Sequence, residues 1–231
     1  MIYPNAQAYD RGTMFSPDGQ LFQVEYAKAA VKKGATALGM VATDGVVIIA
    51  DKNLEPLVVP KAFQKIYKID SLIGATYSGI VSDGLHIIGS MRNKTQTHRM
   101  LYNETESVET LAREMSDEMQ IATQYGGVRP YAVSILIGGI NTEPMLFEID
   151  PAATPVGYKA DAIGAGKKIV TDLLIKEYKD SYSVADALPL GIDMIKKVHE
   201  GKMTAESVEA SVITKSKGFS MLSVEEIEKY I

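Results

Sequence analysis

The feature that most constrains the fold is a predicted helix that stands ahead of the first predicted strand. It covers residues 20–31, and its polar positions are only Gln20, Gln23, Glu25 and Lys28. A helix that is apolar around most of its circumference must be buried on several sides. Because one small domain cannot easily enclose a helix placed before its first strand, we infer that neighbouring subunits contribute to the burial.

A turn and a polar tail precede this helix. The turn has the sequence Ser16-Pro17-Asp18-Gly19, in which Pro17 fixes φ and either Asp18 or Gly19 can cap the first free amides of the helix. Residues 1–12 form the tail, which ends in Tyr9-Asp10-Arg11. We predict that this tail is flexible.

Composition excludes several classes of function. The chain has 231 residues, 46% of them hydrophobic, which fits one large domain over residues 1–231. Its net charge of -5 gives no electrostatic reason to expect nucleic acid or an anionic membrane as a partner. Cysteine is absent, so disulfides and thiolate chemistry are excluded. No apolar run approaches the roughly 18 residues that span a bilayer, the N-terminal residues lack a signal-peptide pattern, and we expect a cytoplasmic protein.

The order of predicted elements indicates a layered α+β fold. Strands, two helices, strands, two helices and strands follow one another without strict alternation, which favours antiparallel sheets covered by helices on both outer faces. The predicted strands are residues 36–42, 46–51, 65–69, 72–78, 131–140, 145–149, 155–163, 208–214 and 219–222. The predicted helices after the first are residues 80–102, 107–125, 166–178, 184–198 and 224–230.

The usual motifs of metal and phosphate chemistry are not found. His86, His98 and His199 do not have metal-ligand spacing, so we interpret them as surface or helix-packing residues and predict no metal. The stretch 163–167, Ile-Gly-Ala-Gly-Lys, has the wrong spacing for a phosphate-binding loop and is interpreted as a tight turn from strand to helix. Ser78 lacks the spacing of a nucleophile elbow. We predict no cofactor.

Several stretches resemble proteasome α-subunits, and the archaeal ones most closely. The first block reads YDR, FSPDG, LFQVEYA and VKKG between Tyr9 and Gly34. Further matching stretches lie at residues 34–39, 45–47, 50–52, 64–66, 124–131 and 159–167, so the resemblance covers nearly the whole chain. It implies a four-layer αββα sandwich of two antiparallel sheets, the N-terminal nucleophile hydrolase fold, with an extra N-terminal helix.

The resemblance also bears on catalysis. Catalytic β-type relatives begin at a threonine directly after a cleaved glycine, and the free α-amine of that threonine acts as the base. Here Gly34 is followed by Ala35, whose methyl group cannot attack a carbonyl. Thr36 is one position late, which turns its side chain to the other face of the strand. Asp51 matches an aspartate near the β-type active site and is interpreted as a strand-end or turn residue, so we predict a subunit with no catalytic residue.

The function that the resemblance implies is that of a structural and gating subunit. Such α-subunits form seven-membered rings on two inner rings of β-subunits, and their tails open or close the pore through which unfolded proteins enter. The matching gate residues here are Tyr9, Asp10, Arg11, Pro17 and Tyr26. On the residues alone, the alternative is a polar disordered tail beside a buried helix.

A second implied site receives the C-terminal tail of an activating ATPase. Its lysine, which pairs with the tail carboxylate, matches Lys65, and Gly19, Gly34 and Gly79 are the expected pocket walls. Without the resemblance, Lys65 is simply a solvated strand lysine.

Four departures separate this chain from the usual archaeal pattern. Four residues rather than five lie between Arg11 and Ser16, and Gln20 stands where arginine is common. Residues 53–56 replace a basic stretch, and residues 84–86 replace an alanine-arginine helix start. A divergent second α-type subunit therefore stays open. Two further hypotheses are an enzyme on the same fold, which Ala35 argues against, and a self-standing binding module, which the apolar helix argues against.

Overall fold

The computed structural model describes residue 9 and residues 13–199 and 203–231. Ten strands follow one another along the chain: β1 Ala37–Ala42, β2 Gly45–Asp51, β3 Ile66–Asp70, β4 Ile73–Gly79, β5 Val133–Ile140, β6 Pro144–Ile149, β7 Pro155–Tyr158, β8 Ala160–Ile163, β9 Val208–Thr214 and β10 Gly218–Met221. The α-helices that lie within residues 13–199 and 203–231 are α1 Phe22–Val31, α2 Val81–Tyr102, α3 Val108–Gln124, α4 Lys167–Glu177, α5 Val184–Val198 and α6 Val224–Ile227. Single 3-10 turns lie at Pro60–Ala62, Ala205–Ser207 and Glu228–Tyr230.

The strands form two five-stranded antiparallel sheets. The first has the order β10-β9-β2-β1-β8, and the second has the order β3-β4-β5-β6-β7. The predicted strands 36–42 and 46–51 form a hairpin, in which Ala42 pairs with Gly45 across the two-residue loop Thr43-Asp44. Gly45 begins β2 instead of belonging to the turn.

Three apolar clusters separate four layers, so the predicted αββα sandwich is confirmed. One cluster lies between the sheets, one packs α4 and α5 on the first sheet, and one packs α2 and α3 on the second. Ile48 and Leu136 lie between the two sheets. Met40 and Ile192 lie between the first sheet and α5, and Ile73 and Met115 lie between the second sheet and α3. Successive side chains of a strand point to opposite faces of its sheet. Strands that are apolar at consecutive positions, such as β2 and β5, therefore supply both faces of their sheets with apolar side chains.

The predicted strand 155–163 is wrong, because the chain changes sheets within it. β7 pairs with β6 in the second sheet, whereas β8 pairs with β1 in the first. Lys159 lies at the crossing, and its carbonyl oxygen accepts a hydrogen bond from the Val41 amide at 2.7 Å. β7 is mostly exposed and β8 mostly buried, a change of surroundings that a single run of strand-forming residues does not reveal.

The start of α1 also differs from the prediction. The helix begins at Phe22 with Leu21 at the N-cap, where no side chain caps it. Residues 16–20 instead close a separate turn, in which the Ser16 carbonyl accepts from the Gly19 amide at 2.8 Å and the Ser16 hydroxyl accepts from the Gln20 amide at 3.1 Å. The Pro17 turn therefore stabilises itself and does not cap the helix.

Within one chain, α1 buries a single face. Val24, Ala27 and Val31 are buried against the ends of β4 and β5. Tyr26 on the same helix is 53% exposed, and Phe15 before it is 65% exposed. The expectation that this helix is buried on several sides is therefore not met by the chain alone.

The two glycines of α2 provide a test of the packing. A Cβ on Gly84 would lie within 3.0 Å of the Tyr77 ring, whereas a Cβ on Gly89 would meet nothing within 4 Å. We expect Gly84→Ala to destabilise the chain by about 1–3 kcal/mol through overpacking. Gly89→Ala should stabilise it by about 0.5–1 kcal/mol, because glycine costs helix entropy.

Denaturant unfolding of both variants at one subunit concentration measures the difference. If Gly84→Ala is as stable as Gly89→Ala, the close contact between α2 and Tyr77 is not present.

Candidate functional site

The segment between α1 and β1 contains Ala35, the position at which the resemblance predicts the nucleophile of catalytic relatives. Ala35 is half-buried and continues through Gly34 directly into the end of α1, where the Gly34 amide donates to the Val31 carbonyl at 2.9 Å. The hydroxyl of the buried Thr36 accepts a hydrogen bond from the Gly166 amide at 2.9 Å. The hydroxyl nearest to the predicted position therefore serves the turn at the start of α4, and the nitrogen beside it is a peptide nitrogen.

Lys65 is a buried ammonium with one hydrogen-bond acceptor. It directly precedes β3 and is 3% exposed, so the alternative of a solvated strand lysine is wrong. Its Nζ donates to the Tyr77 carbonyl at 2.8 Å and lies 4.6 Å from the centroid of the Tyr77 ring. Among the described residues, no carboxylate oxygen lies within 4.0 Å of this Nζ.

The electrostatics of Lys65 follow from this burial. Burial lowers the pKa of Lys65 to about 8, and the charges of Asp51 and Glu209 oppose the shift without cancelling it. Glu209 is hydrogen-bonded to the backbone beside Lys65, and Asp51 is paired with His199, whose Nδ1 lies 3.0 Å from Asp51 Oδ1. The ammonium is thus held near two carboxylates that are already engaged.

Two of the three glycines predicted as pocket walls, Gly34 and Gly79, lie against each other at the end of β4. A Cβ on Gly34 would lie within 3.0 Å of both the Ser78 hydroxyl and the Gly79 amide nitrogen. Gly79 has φ +124°, and a Cβ there would collide with the Ala132 carbonyl. Tyr77, whose carbonyl accepts from Lys65, lies two residues before Gly79 on β4, so strand β4 connects the Lys65 contact with the close approach of Gly34 and Gly79.

The other described residues of the predicted sites lie in the N-terminal tail, in the turn before α1 and on α1. Gly19 has φ +76° in the turn before α1, and nothing lies within 4 Å of a Cβ built on it. Pro17 is exposed in the same turn, Tyr26 stacks on Phe22 with ring centroids 6.4 Å apart, and Tyr9 is half-buried. Asp10 and Arg11 lie outside the described residues.

The stretch that resembles a phosphate-binding loop is a tight turn, as predicted. Gly164 has φ +92° between the end of β8 and the start of α4. The Lys167 ammonium pairs with Glu148 at 2.7 Å and with Asp161 at 3.2 Å. Burial raises the pKa of Glu148 to about 7, with the Lys167 hydrogen bond acting against the shift. The lysine of this turn therefore neutralises two buried carboxylates.

The histidines occupy three different environments. His86 is exposed and stacks on Tyr131, and His98 lies 2.8 Å from Glu106 through Nδ1. His199 caps the end of α5 and forms the buried pair with Asp51, which is the last residue of β2. Across residues 13–199 and 203–231, no group of three or more histidine and acidic side chains is placed to hold a metal ion. No helix in the part of the chain that the structure describes is long and apolar enough to cross a membrane.

Comparison with known families assigns the chain. The model of the proteasome subunit family matches residues 31–213, and the model of the N-terminal signature of A-type proteasome subunits matches residues 9–30. The chain belongs to the proteasome subunit family. The predicted resemblance to this family is confirmed over nearly the full length.

Its relatives are archaeal α subunits. The chain is 44% identical over 227 residues to "Proteasome subunit alpha" of Methanothermobacter thermautotrophicus, covering 96% of this chain and 92% of the relative. For the protein of the same name in Methanosarcina mazei the identity is 43% over 227 residues, covering 96% and 91%. For that of Pyrococcus horikoshii it is 42% over 231 residues, covering 99% and 88%. The chain is therefore an α-type proteasome subunit of the archaeal kind.

The sequence analysis of this α-type chain did not predict the contact between Glu209 and the backbone at Lys65. Glu209 lies on β9 of the first sheet, 144 positions from Lys65, yet one of its carboxylate oxygens accepts the backbone amides of Lys65 and Ile66. Neither periodicity nor a motif links these positions. The only signal in the sequence is an acidic residue within a strand of otherwise small and apolar residues.

The buried ammonium predicts a pH-dependent stability cost. Unfolded Lys65 keeps its proton up to its ordinary pKa of 10.5, whereas the folded-state pKa is about 8. The unfolded chain therefore binds more protons between these values, and its folded form gains stability as the pH rises. We expect Lys65→Met to be more stable than the parent at pH 7, with the difference narrowing by about 2 kcal/mol by pH 9.5.

Unfolding free energies at the two pH values measure this effect. Lys68→Met, at an exposed position of β3, is the matched control and should show no such narrowing. A constant difference between Lys65→Met and the parent would mean that the Lys65 ammonium is not desolvated.

Proposed function

We propose that the chain is a non-catalytic subunit of the outer heptameric ring of the 20S proteasome core, which gates entry to the β-ring chamber and docks the tails of an activating ATPase. The observation that carries this proposal is the buried Lys65 ammonium. Among the described residues it has a single hydrogen-bond acceptor, the Tyr77 carbonyl, and no carboxylate oxygen within 4.0 Å. Two residues after Tyr77 on the same strand, Gly79 lies against Gly34. The particle is assigned to the cytoplasm.

A terminal carboxylate is the ligand that this arrangement fits. An ammonium has three donors, and Lys65 uses one of them on the Tyr77 carbonyl. The glycines Gly34 and Gly79 allow a close approach to backbone, and capture of a chain terminus by backbone groups and a cation is a known recognition mode. Gly19 contributes its turn to the same docking pocket in this proposal.

Uncovered apolar surface around α1 supports assembly into a ring. Phe15 and Tyr26 are both more than half exposed, and Met14, which precedes Phe15 in the chain, is 54% exposed. Exposed apolar side chains that cluster around one element mark a protein interface. We assign this surface to the neighbouring α-subunits, and the opposite end of the sandwich to the β-subunits.

The gate is assigned to the tail that leads into this surface. Tyr9, Asp10 and Arg11 provide a ring, a carboxylate and a guanidinium that can hydrogen-bond across a subunit boundary. Pro17 supplies a rigid turn and Tyr26 a hydroxyl on α1. In the open state these residues hold the tails away from the axial pore, so that unfolded proteins pass through.

The alternative of an enzyme on the same fold has less support. Ala35 offers no nucleophilic atom, and the Thr36 hydroxyl already accepts the Gly166 amide. Peptide hydrolysis by the purified α-type chain without β-subunits would favour the enzyme, since the proposed subunit hydrolyses nothing by itself.

The gate can be tested by deletion. Removal of residues 2–12 from the α-type chain, co-expressed with β-subunits, should raise hydrolysis of a short fluorogenic peptide several-fold, because the axial pore loses its barrier. Native mass of the assembly is measured alongside, so that a change in rate is not a change in assembly. An unchanged rate in a complete particle would contradict the gate assignment.

The docking lysine can be tested separately. Lys65→Ala should abolish the stimulation of hydrolysis by an activating ATPase and leave basal hydrolysis unchanged, whereas the exposed control Lys68→Ala should keep both. In the parent, stimulation should fall as the pH rises through about 8, because neutral Lys65 no longer attracts a carboxylate. Equal stimulation of the Lys65→Ala particle and the parent would refute the pocket.

A further inference from the structure

Glu209 joins the two sheets at the edge where Lys65 lies. It stands on β9, opposite Ala50 of β2, in the first sheet. Its Oε2 accepts the backbone amides of Lys65 and Ile66 at 2.8 and 2.9 Å, where the second sheet begins its edge strand β3. An edge strand has no neighbour on its outer side, so a side-chain carboxylate here replaces the missing strand partner.

The other carboxylate oxygen of Glu209 is also paired. Its Oε1 lies 3.2 Å from the ammonium of Lys52, a side chain that is only 7% exposed and that also donates to the Pro60 carbonyl at 2.6 Å. Hydrogen bonds to two amides and an ion pair with an ammonium fix the orientation of a carboxylate. Both oxygens of Glu209 are thus held in a defined position between the two sheets.

From these contacts we propose that Glu209 is a positioning residue for Lys65: it fixes the backbone from which the Lys65 side chain projects and supplies the charge that keeps the ammonium ready for an incoming carboxylate. The inference rests on the proposed docking function of Lys65. Glu209 does not touch the docked tail in this proposal and acts only through Lys65.

The charged and titratable groups around Lys65 come from strands of both sheets and from the residues next to these strands. Asp51 at the end of β2 and Glu209 on β9 attract its proton, while Lys52 pairs with Glu209 and His199 pairs with Asp51. Tyr77 lies under the ammonium, and Tyr67 stacks on Tyr77 with ring centroids 6.0 Å apart. Loss of the Glu209 charge therefore leaves Asp51 as the only one of the two that still attracts the Lys65 proton.

Two substitutions separate the two roles of Glu209. Glu209→Gln keeps an acceptor oxygen of nearly the same shape but removes the charge, whereas Glu209→Ala removes both. The probe is a synthetic C-terminal tail peptide of an archaeal proteasome-activating ATPase, used with a free or an amidated terminus on the assembled α-β particle. Its affinity is measured between pH 6.5 and 9, together with basal hydrolysis.

For Glu209→Gln we expect near-parental affinity at pH 6.5 and a loss of binding that begins about one pH unit lower than in the parent. Glu209→Ala should bind the free-terminus peptide at least tenfold more weakly than the parent at pH 6.5, where Lys65 of the parent is protonated. Glu148→Gln is the matched control, because Glu148 is also a buried strand carboxylate paired with a lysine, but lies three strands from β3 in the same sheet. It should keep the parental profile.

The outcomes distinguish this inference from the function on which it rests. If the parent binds free and amidated peptides equally, the docking function of Lys65 fails. If the parent discriminates and Lys65→Ala does not bind, but Glu209→Gln keeps the parental pH profile, the positioning role is overturned. If Glu209→Ala does not assemble, Glu209→Gln still decides through its pH profile.

Discussion

The structure depends on one close approach of backbone segments at the end of the sandwich. Gly34, which follows α1, lies so near Ser78 and Gly79 that no Cβ fits there, and Gly164 at the end of β8 is equally close to the carbonyls of Gly34 and Ala35. The Ala165 amide donates to the Gly34 carbonyl at 2.9 Å. A helix, two strand ends and a turn are therefore locked together within van der Waals contact, and side chains larger than hydrogen would separate them.

The same joint explains two properties that look unrelated. By fixing α1 against the first strand, it keeps Ala35 within a continuous chain, at the position where the resemblance predicts a free N-terminal residue in catalytic relatives. By fixing Gly79, it holds the end of β4, whose Tyr77 carbonyl receives the Lys65 ammonium. The proposed absence of catalysis and the proposed docking of a tail both involve segments that this one packing arrangement holds.

The sequence was informative where the causes are local. The Asp44 turn lies between the two strands that it joins. Ser183 directly precedes the helix that it caps, where its hydroxyl accepts the Asp186 amide. The sequence was not informative where partners are distant: the change of sheets at Lys159 and the contact of Glu209 with Lys65 depend on how two sheets meet. The pattern of apolar residues fixes which face is buried but not which sheet buries it, and the burial of Lys65 was missed for that reason.

The burial of Lys65 has an energetic consequence for any carboxylate that binds it. An exposed lysine pairs with a carboxylate for only about 0–1 kcal/mol, because water and side-chain entropy offset the attraction. At Lys65 the ammonium is already desolvated and held by Tyr77. The free-energy cost of desolvating and ordering this side chain therefore reduces the stability of the fold and does not reduce the affinity for a carboxylate. In the proposed docking, the free energy lost in folding would thus strengthen binding, and this requires the ammonium to stay protonated. Asp51 and Glu209 favour the protonated form of Lys65, and both carboxylates are themselves paired, with His199 and Lys52.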